Sequence, residues 1–159
     1  MPLERTNPMS DLLKLENFLC FSIYSAGHAF NQFYRPLLDE IGLTYPQYLV
    51  MVSLWSQDDQ TVKEIGQALS LESNTLTPLL KRLEALQLIS RTRDPKDERQ
   101  VRIRLTQQGK SLKQQAERVP ACVAGALGFS ADELKELQDK MLLVQQRLQR
   151  GADERSESS

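Results

Sequence analysis

The stretch SNTLTPLLKRLEALQLISRTRDPKDERQVRIRL, residues 73–105, decides the fold. Its first half places leucine at i, i+3, i+4, i+7 and i+10 from Leu76, the spacing of one face of an α-helix. In its second half, polar and apolar residues alternate over 89–93 and over 100–105, as in β-strands. Between the two runs, residues 94–99 (DPKDER) supply turn residues. The change of period predicts a helix followed by a two-stranded hairpin.

A second short helix is predicted just before this stretch. Thr61 and Glu64 form a capping box, and apolar residues follow on one face at Val62, Ile65 and Leu69. Residues 70–72 then form a short turn. Because Pro78 is tolerated only near a helix start, we expect the next helix to be capped at Asn74. Two helices with a short turn and a hairpin predict a winged helix-turn-helix, mainly α with a small β-hairpin wing.

This arrangement predicts a surface that binds double-stranded DNA. Short polar groups at a helix N-terminus reach base edges in the major groove, and arginines on a hairpin reach the minor groove. The candidate residues are Ser73, Asn74, Thr75, Thr77, Pro78, Lys81 and Arg82 on the helix, and Arg91, Arg93, Lys96 and Arg99 in the hairpin, where Asp97 or Glu98 would orient Arg99. The alternative is that both helices are simply core and that the arginines keep an edge hairpin from aggregating.

The charge distribution agrees with this surface. Residues 61–110 hold ten Lys or Arg against six Asp or Glu, whereas the other residues hold ten against fifteen. A basic segment in an acidic chain concentrates positive potential on one face. A bias of this size is also compatible with a chance fluctuation of the surface, so it supports the motif and does not replace it.

The flanking segments are predicted to be helical. Residues 11–38 are apolar around most of the helix girth, which requires burial from more than one side, plausibly by a second subunit. Thr44 and Gln47 form another capping box, Thr106 caps a helix to about Val119 that Pro120 interrupts, and Ser130 with Glu133 starts a helix to about Leu148. We therefore divide the chain into a dimerisation and sensing helix (1–40), a DNA-binding lobe (41–106), C-terminal dimerisation helices (107–150) and a disordered tail (151–159).

Composition limits the remaining possibilities. The chain has 159 residues, of which 40% are hydrophobic and 26% charged, as in an ordinary soluble protein. It has no apolar run of about 18 residues and no export signal at its N-terminus, so we expect a cytoplasmic protein that does not enter membranes. Its two cysteines lie too far apart in sequence for metal-ligand spacing, and His28 is its single histidine. We expect no metal and no cofactor.

Several segments resemble a known family. Residues 73–84 (SNTLTPLLKRLE), Asp97-Glu98-Arg99 and Leu105-Thr106 resemble the DNA-binding lobe of MarR-type regulators. Residues 15–21 (LENFLCF), 34–38 (YRPLL) and 44–48 (TYPQY) resemble the organic-hydroperoxide repressor (OhrR) branch. The similarity covers residues 12–150. It implies an intertwined homodimer, joined by its N- and C-terminal helices, which binds a pseudo-palindromic operator.

The resemblance also implies a role for Cys20 as a thiol sensor of organic hydroperoxides. Taken alone, a cysteine in an apolar helix fits an inert core residue. By resemblance, Tyr34 and Tyr45 contact the sensing cysteine across the dimer, and Tyr24 lies close to it. In two-cysteine members of the branch, a C-terminal cysteine resolves the oxidised sensor, and Cys122 is the candidate here. Alternatively, Cys122 is simply a small residue that fills space in a helix. A small cellular thiol would then resolve Cys20 instead.

Three other functions remain open. The chain could be a MarR-type regulator that binds a small aromatic ligand, with Cys20 inert. It could be a thiol peroxidase, although it lacks a thioredoxin-like βαβ pattern and a CxxC motif. It could also be a dimeric adaptor without DNA binding. We expect a regulator that is not an enzyme.

Overall fold

The computed structural model describes residues 11–158. The first ten residues of the predicted 1–40 segment and Ser159 of the predicted tail lie outside the described residues. The chain forms two compact units, the first ending at Val119 and the second beginning at Pro120. The helices are α1 Leu19–Asp39, α2 Tyr45–Ser56, α3 Val62–Leu69, α4 Ser73–Ala85, α5 Gln107–Ala116, α6 Arg118–Leu127 and α7 Ala131–Glu157, and the strands are β1 Gln60–Thr61, β2 Ile89–Arg93 and β3 Val101–Leu105.

The predicted helix starts at the capping boxes are confirmed. Thr44, Thr61 and Ser130 each accept the backbone N–H of the residue three positions later, whose side chain returns a bond to the cap N–H. Thr106 caps α5 by accepting the Gly109 N–H at 3.0 Å. Each box satisfies two amides that a helix start leaves unpaired, so a short local motif fixes where the helix begins.

The predicted hairpin is confirmed and belongs to a three-stranded antiparallel sheet in the order β1-β3-β2. Arg91 pairs with Ile103 and Thr92 with Arg102 across the hairpin. Since side chains alternate along a strand, Arg102 and Arg104 share the face opposite the buried Ile103. Strand β1 was not predicted because two residues are too few to show alternation.

The first unit has one continuous core. Leucines on one face of α4 pack against residues from the end of α1, from α2 and α3, and from the sheet. The fully buried large side chains are Leu38, Val50, Met51, Leu54, Ile65, Leu76, Leu80, Leu83, Ile89, Ile103 and Val119. Trp55 at the edge of this core donates its indole N–H to the Gly109 carbonyl oxygen at 2.9 Å. This core holds α3 and α4 together and anchors the base of the hairpin through Ile89 and Ile103.

Four predicted boundaries were wrong. The first long helix begins at Leu19 rather than Asp11, because Phe18 has extended backbone angles and a 3-10 turn, Leu15–Asn17, precedes it. Helix α4 is capped at Glu72 rather than Asn74, because the Glu72 carbonyl already accepts the Thr75 and Leu76 N–H groups. Pro78 therefore lies inside the helix, where it cannot donate to the Asn74 carbonyl.

The other two errors concern the C-terminal helices. The break between α5 and α6 falls at Glu117, and Pro120 lies in the first turn of α6, where its missing N–H costs nothing. Helix α7 continues past Leu148 to Glu157, so the predicted disordered tail is helical over residues 151–157. Ion pairs between Lys135 and Asp139 and between Lys140 and Glu136 lie along α7 at helical spacing.

Candidate functional site

The turn between α3 and α4 is built on a close backbone approach. Ser70 adopts a left-handed conformation (φ 54°) that ends α3, and the Leu71 N–H bonds to the Gly66 carbonyl at 2.9 Å. A Cβ atom at Gly66 would lie 2.8 Å from the Leu71 carbonyl oxygen, closer than carbon and oxygen allow. A glycine is therefore required here, and it sets the angle at which α4 leaves the turn.

Helix α4 has two distinct faces. Leu76, Leu80 and Leu83 are fully buried, whereas Asn74 and Lys81 are exposed on the opposite side. The predicted contact residues that are exposed in the structure are Ser73, Asn74, Thr75, Pro78, Lys81 and Arg82. Thr77 differs, because it is half-buried and its hydroxyl donates to the Ser73 carbonyl oxygen at 2.7 Å. The exposed face therefore presents short polar groups and two cations.

Three of the predicted hairpin cations, Arg93, Lys96 and Arg99, are exposed. Arg91 is set apart from them, since its side chain is only 24% exposed and its Nη1 lies 3.7 Å from the Glu84 carboxylate on α4. Asp97 accepts the backbone N–H of Arg99 at 3.1 Å. It thus shapes the turn that carries Arg99, rather than holding the arginine side chain as the sequence suggested.

Arg102 and Arg104 converge on an acidic group that the sequence analysis missed. Asp59, in the loop before β1, lies 2.8 Å from the Nε of Arg102 and 3.0 Å from the Nε of Arg104. The neighbouring Asp58 accepts the Leu105 N–H at 2.8 Å. The available signal was the Asp-Asp pair directly before the Thr61 cap, but its partners lie more than 40 residues away in sequence.

These contacts shift the ionisation of the groups involved. A hydrogen bond from Arg102 lowers the pKa of Asp59, and the backbone N–H of Lys96 with the Arg102 guanidinium lowers the pKa of Asp94. The two carboxylates in turn raise the pKa of Arg102. All three groups are therefore charged at neutral pH.

Cys20 lies in the first turn of α1, and its thiol is free and exposed. Backbone amides at this helix end have no partner within the helix, and their dipoles favour an anion. Phe18, Leu19 and Phe21 surround it in sequence, and Tyr24 lies one turn along the same helix with 73% of its surface exposed. The thiol thus sits in an apolar but accessible setting.

Tyr34 and Tyr45 form an aromatic pair near the other end of α1. Their ring centroids lie 5.0 Å apart, and Tyr48 stacks 6.2 Å from Tyr34. Burial raises the pKa of Tyr34, with a contribution from its two tyrosine neighbours, so its hydroxyl stays protonated as a donor. The pair lines a cavity of about 320 Å³ whose rim includes Arg35.

The structure brings Tyr34 and Tyr45 together but separates them from Cys20 of the same chain. Cys20 and Tyr34 are fourteen positions apart on the continuous helix α1, a distance of about 21 Å along the axis. Cys122 lies on α6 and is also a free, exposed thiol. Within residues 11–158, no group of three or more His, Cys, Asp or Glu is placed to hold a metal ion. None of the helices in this described range is long and apolar enough to span a bilayer.

A helix-turn-helix with an exposed polar second helix, followed by a basic antiparallel hairpin, defines a winged-helix transcriptional regulator. The family model described as transcriptional regulator SarA/Rot matches residues 32–116. The chain is 44% identical over 131 residues to the organic hydroperoxide resistance transcriptional regulator of Bacillus subtilis, covering 82% of this chain and 89% of the relative. It therefore belongs to the MarR-type family of transcriptional regulators, in the organic-hydroperoxide repressor branch.

Two further comparisons agree with this family. The regulator TtmR of Methylorubrum extorquens is 47% identical over 144 residues, covering 91% of this chain and 72% of TtmR. Reduced AbfR bound to DNA is 38% identical with a TM-score of 0.77, covering 88% of this chain and 98% of AbfR, a protein of Staphylococcus epidermidis. AbfR has also been solved overoxidised on DNA and in a disulfide form.

Proposed function

We propose that this chain is a homodimeric repressor that releases its operator when an organic hydroperoxide oxidises Cys20. The observation that carries the proposal is an accessible thiol at the start of an apolar helix, on the scaffold of a DNA-binding regulator. The B. subtilis relative is named for organic hydroperoxide resistance, and AbfR has been solved both on DNA and in a disulfide form. Both names support the proposal by analogy.

In the proposed complex, α4 enters the major groove and the hairpin reaches the adjacent minor groove. Asn74, Pro78 and Lys81 share one exposed face of α4 at i, i+4 and i+7, a spacing that places them along the groove floor. Arg93, Lys96 and Arg99 supply the cations of the hairpin. Arg91, already paired with Glu84, contributes less to this surface.

The proposed dimer is formed by α1 and α7, leaving residues 41–106 as the DNA-binding lobe. Leu38 is the one buried residue within α1, while Leu19, Ile23 and Phe33 are 57%, 38% and 42% exposed. On α7, Leu137, Leu142 and Leu148 are similarly exposed. Large apolar surfaces of this kind mark interfaces. Two lobes related by a two-fold axis would bind half-sites about one helical turn apart.

A dimer also completes the sensing site. Because about 21 Å of helix lies between Cys20 and Tyr34 in one chain, a Cys20 thiol beside the tyrosine pair would have to come from a second copy. The Tyr34 and Tyr45 hydroxyls of one subunit would then donate to the Cys20 sulfur of the other. Tyr24, one turn from Cys20, would complete the ring of donors.

The proposed reaction begins with the Cys20 thiolate attacking the distal oxygen of a hydroperoxide. The O–O bond breaks as an S–O bond forms, so that sulfur loses two electrons and the alkoxide leaves as an alcohol after taking a proton. A tyrosine hydroxyl beside the thiol can supply that proton and be protonated again by water. Apolar neighbours of Cys20 favour alkyl hydroperoxides over hydrogen peroxide.

The sulfenic acid at Cys20 is proposed to condense with a second thiol, forming a disulfide and releasing water. The second thiol is Cys122 of the other subunit or, without it, a small cellular thiol. A disulfide between subunits requires Cα atoms within about 7 Å. Bringing the two cysteines that close would move the dimerisation helices and change the half-site spacing, and the operator would be released.

The test combines DNA release with covalent state. An operator is first selected from random duplexes with the full chain, and cumene hydroperoxide is then added to the complex. We expect release with the wild-type chain and none with Cys20→Ser. A non-reducing gel should show a covalent dimer that Cys122→Ser abolishes. A covalent dimer in Cys122→Ser contradicts the two-cysteine scheme, and hydroperoxide release in Cys20→Ser contradicts thiol sensing altogether.

The cavity beside Tyr34 and Tyr45 favours a second candidate, a regulator that binds a small aromatic ligand. Its volume of about 320 Å³ suits a single substituted ring, and its lining includes Arg35, which could pair with an acidic substituent, beside Asp39. Under this proposal Cys20→Ser would still release DNA on addition of an aromatic acid. The two candidates are therefore separated by one variant and two inducers.

A further inference from the structure

A guanidinium group at the middle of β3 connects the hairpin to two other segments of the chain. The Arg102 Nε donates to the Asp59 Oδ1 at 2.8 Å, and its Nη2 donates to the Asp59 carbonyl oxygen at 2.8 Å. Its Nη1 donates to the Asp94 Oδ2 at 3.2 Å. All three nitrogens are thus bonded, in the planar geometry that an arginine holds and a lysine cannot reproduce.

The two partners of Arg102 occupy positions that matter for DNA binding. Asp59 directly precedes β1, whose last residue, Thr61, caps the first helix of the helix-turn-helix. It holds a left-handed conformation (φ 59°) that presents both its side chain and its carbonyl to Arg102. Asp94 is 8% exposed, and its other oxygen accepts the Lys96 N–H at 2.8 Å, so it opens the loop that carries Lys96 and Arg99. Arg102 therefore joins the start of one DNA-reading element to the base of the other.

The sheet alone constrains the hairpin weakly. Within residues 11–158, β3 pairs with β2 in the hairpin and otherwise only with the two residues of β1, in the register Gln60 to Ile103 and Thr61 to Arg102. A two-stranded ribbon is marginally stable and twists readily on its own. For α4 and the hairpin loop to contact one duplex together, their separation must match the groove geometry. A rigid link at the middle of β3 supplies that constraint.

We infer that Arg102 is a positioning residue of the DNA-binding surface, which fixes the hairpin loop relative to α3 and α4 through Asp59 and Asp94. The inference rests on the proposed function, since it assumes that α4 and the hairpin bind one duplex. Arg102 acts through geometry rather than through its charge, because two carboxylates already surround it. Its side chain is 25% exposed, which leaves little of it for phosphate.

Arg104 provides a matched control on the same strand and face. It lies two residues further along β3, its Nε is 3.0 Å from the same Asp59 carboxylate, and its side chain is 45% exposed. Its Nη2 also donates to the Asp59 Oδ2 at 3.5 Å, and its Nη1 donates to the Thr92 hydroxyl on β2 at 3.4 Å. Arg104 thus shares the charge, the strand and one partner of Arg102, but its other partner is Thr92 rather than Asp94 at the start of the hairpin loop.

The experiment compares R102K with R104K, both of which keep the positive charge. Affinity is measured for the operator selected with the full wild-type chain and for a scrambled duplex, with thermal unfolding and hairpin amide exchange as further measurements. We expect R102K to lose operator affinity about tenfold, as for two or three charged hydrogen bonds partly replaced. Affinity for the scrambled duplex should be retained, hairpin amides should exchange faster, and R104K should stay within about twofold of wild type on the operator.

A loss in R102K less than about fivefold greater than that in R104K overturns the inference, because charge alone would then explain both. If the wild-type chain selects no sequence at all, the proposed function is what fails. Should R102K be unfolded at the assay temperature, Asp59→Asn decides by the sign of its effect. Removing a negative charge beside the DNA strengthens binding on electrostatics alone, whereas loosening the link weakens operator binding. Asparagine tolerates the left-handed conformation, so this variant keeps the loop.

Discussion

Helices α1 and α4 are both rich in apolar residues, but the two helices differ in how far those residues are buried. In α4, Leu76, Leu80 and Leu83 are fully buried by the rest of the first unit. In α1, one residue of 21 is buried, while Leu19 and Phe33 remain about half exposed. Helix α4 is therefore buried within its own chain, whereas α1 has an apolar surface that a single chain leaves uncovered. This difference predicts that the packing around α4 does not depend on a second subunit, whereas the surface of α1 is covered only on association.

The largest expected effect comes from breaking the buried side of this comparison. Leu83→Ala should lower the free energy of unfolding by about 2–5 kcal/mol, because a fully buried leucine leaves a cavity. Chemical denaturation at two protein concentrations measures it. Leu19→Ala is the control at an exposed leucine, and we expect its effect to depend on protein concentration. A Leu83→Ala loss below 1 kcal/mol would contradict the packing described for α4.

The next largest effect should come from the exposed apolar surface of α1. Phe33→Glu places a charge on the exposed apolar surface of α1, and we expect the dimer dissociation constant to rise about 100-fold, or about 2.7 kcal/mol. Sedimentation at several concentrations measures the association. Thermal unfolding of the lobe should change little, because Phe33 lies outside the buried core. A dimer unaffected by this charge would show that α1 does not form the interface.

Two hairpin arginines sharpen the comparison at the level of DNA binding. Arg99 is exposed at the hairpin loop, whereas Arg91 is paired with Glu84. Arg99→Ala should weaken operator binding about tenfold, roughly 1.4 kcal/mol, and reduce the slope of affinity against salt by about one. Arg91→Ala should leave the salt slope nearly unchanged. Titrations at three salt concentrations decide, and equal slopes in the two variants would count against the assignment.

The sequence predicted local features well and distant contacts poorly. The capping boxes at Thr44, Thr61 and Ser130 were found because each depends on residues three apart, and the hairpin was found because alternation is visible in sequence. The Asp59–Arg102 link was missed because it joins residues 43 positions apart. The Arg91–Glu84 pair was missed because it depends on how β2 folds back on α4, which no local pattern shows. The cap of α4 was predicted at Asn74 instead of Glu72 because we expected Pro78 to be tolerated only near a helix start.

Among the candidate functional residues, too, those that follow a local pattern were predicted better than those that depend on distant contacts. The exposed face of α4 follows from the leucine stripe, since polar positions opposite a buried face must point outward. Cys20 could be placed on a helix, but its accessibility in one chain and its distance from Tyr34 required the fold. Asp58 and Asp59 are typical of an ordinary loop in sequence, and only the structure brings Asp59 to the arginines of β3.

The smallest expected effect concerns pH and the carboxylate of Asp94. The Lys96 backbone N–H and the Arg102 guanidinium lower its pKa from the ordinary value of 3.8. A carboxylate whose pKa is depressed on folding stabilises the folded state above the pKa of the unfolded chain, and this stabilisation is lost as the pH falls through the folded pKa. Asp94→Asn should therefore destabilise the lobe at pH 7 and differ progressively less from wild type below about pH 4. Denaturation curves between pH 2.5 and 7, at roughly half-unit steps, measure this difference.

The control repeats the substitution in an Arg102→Met background. The difference in stability caused by Asp94→Asn should then be smaller at every pH above 4, because one of the two groups that depress the pKa is absent. A gap that widens on acidification would mean that Asp94 stabilises the hairpin loop as a protonated acid, and the link through Arg102 would not be ionic.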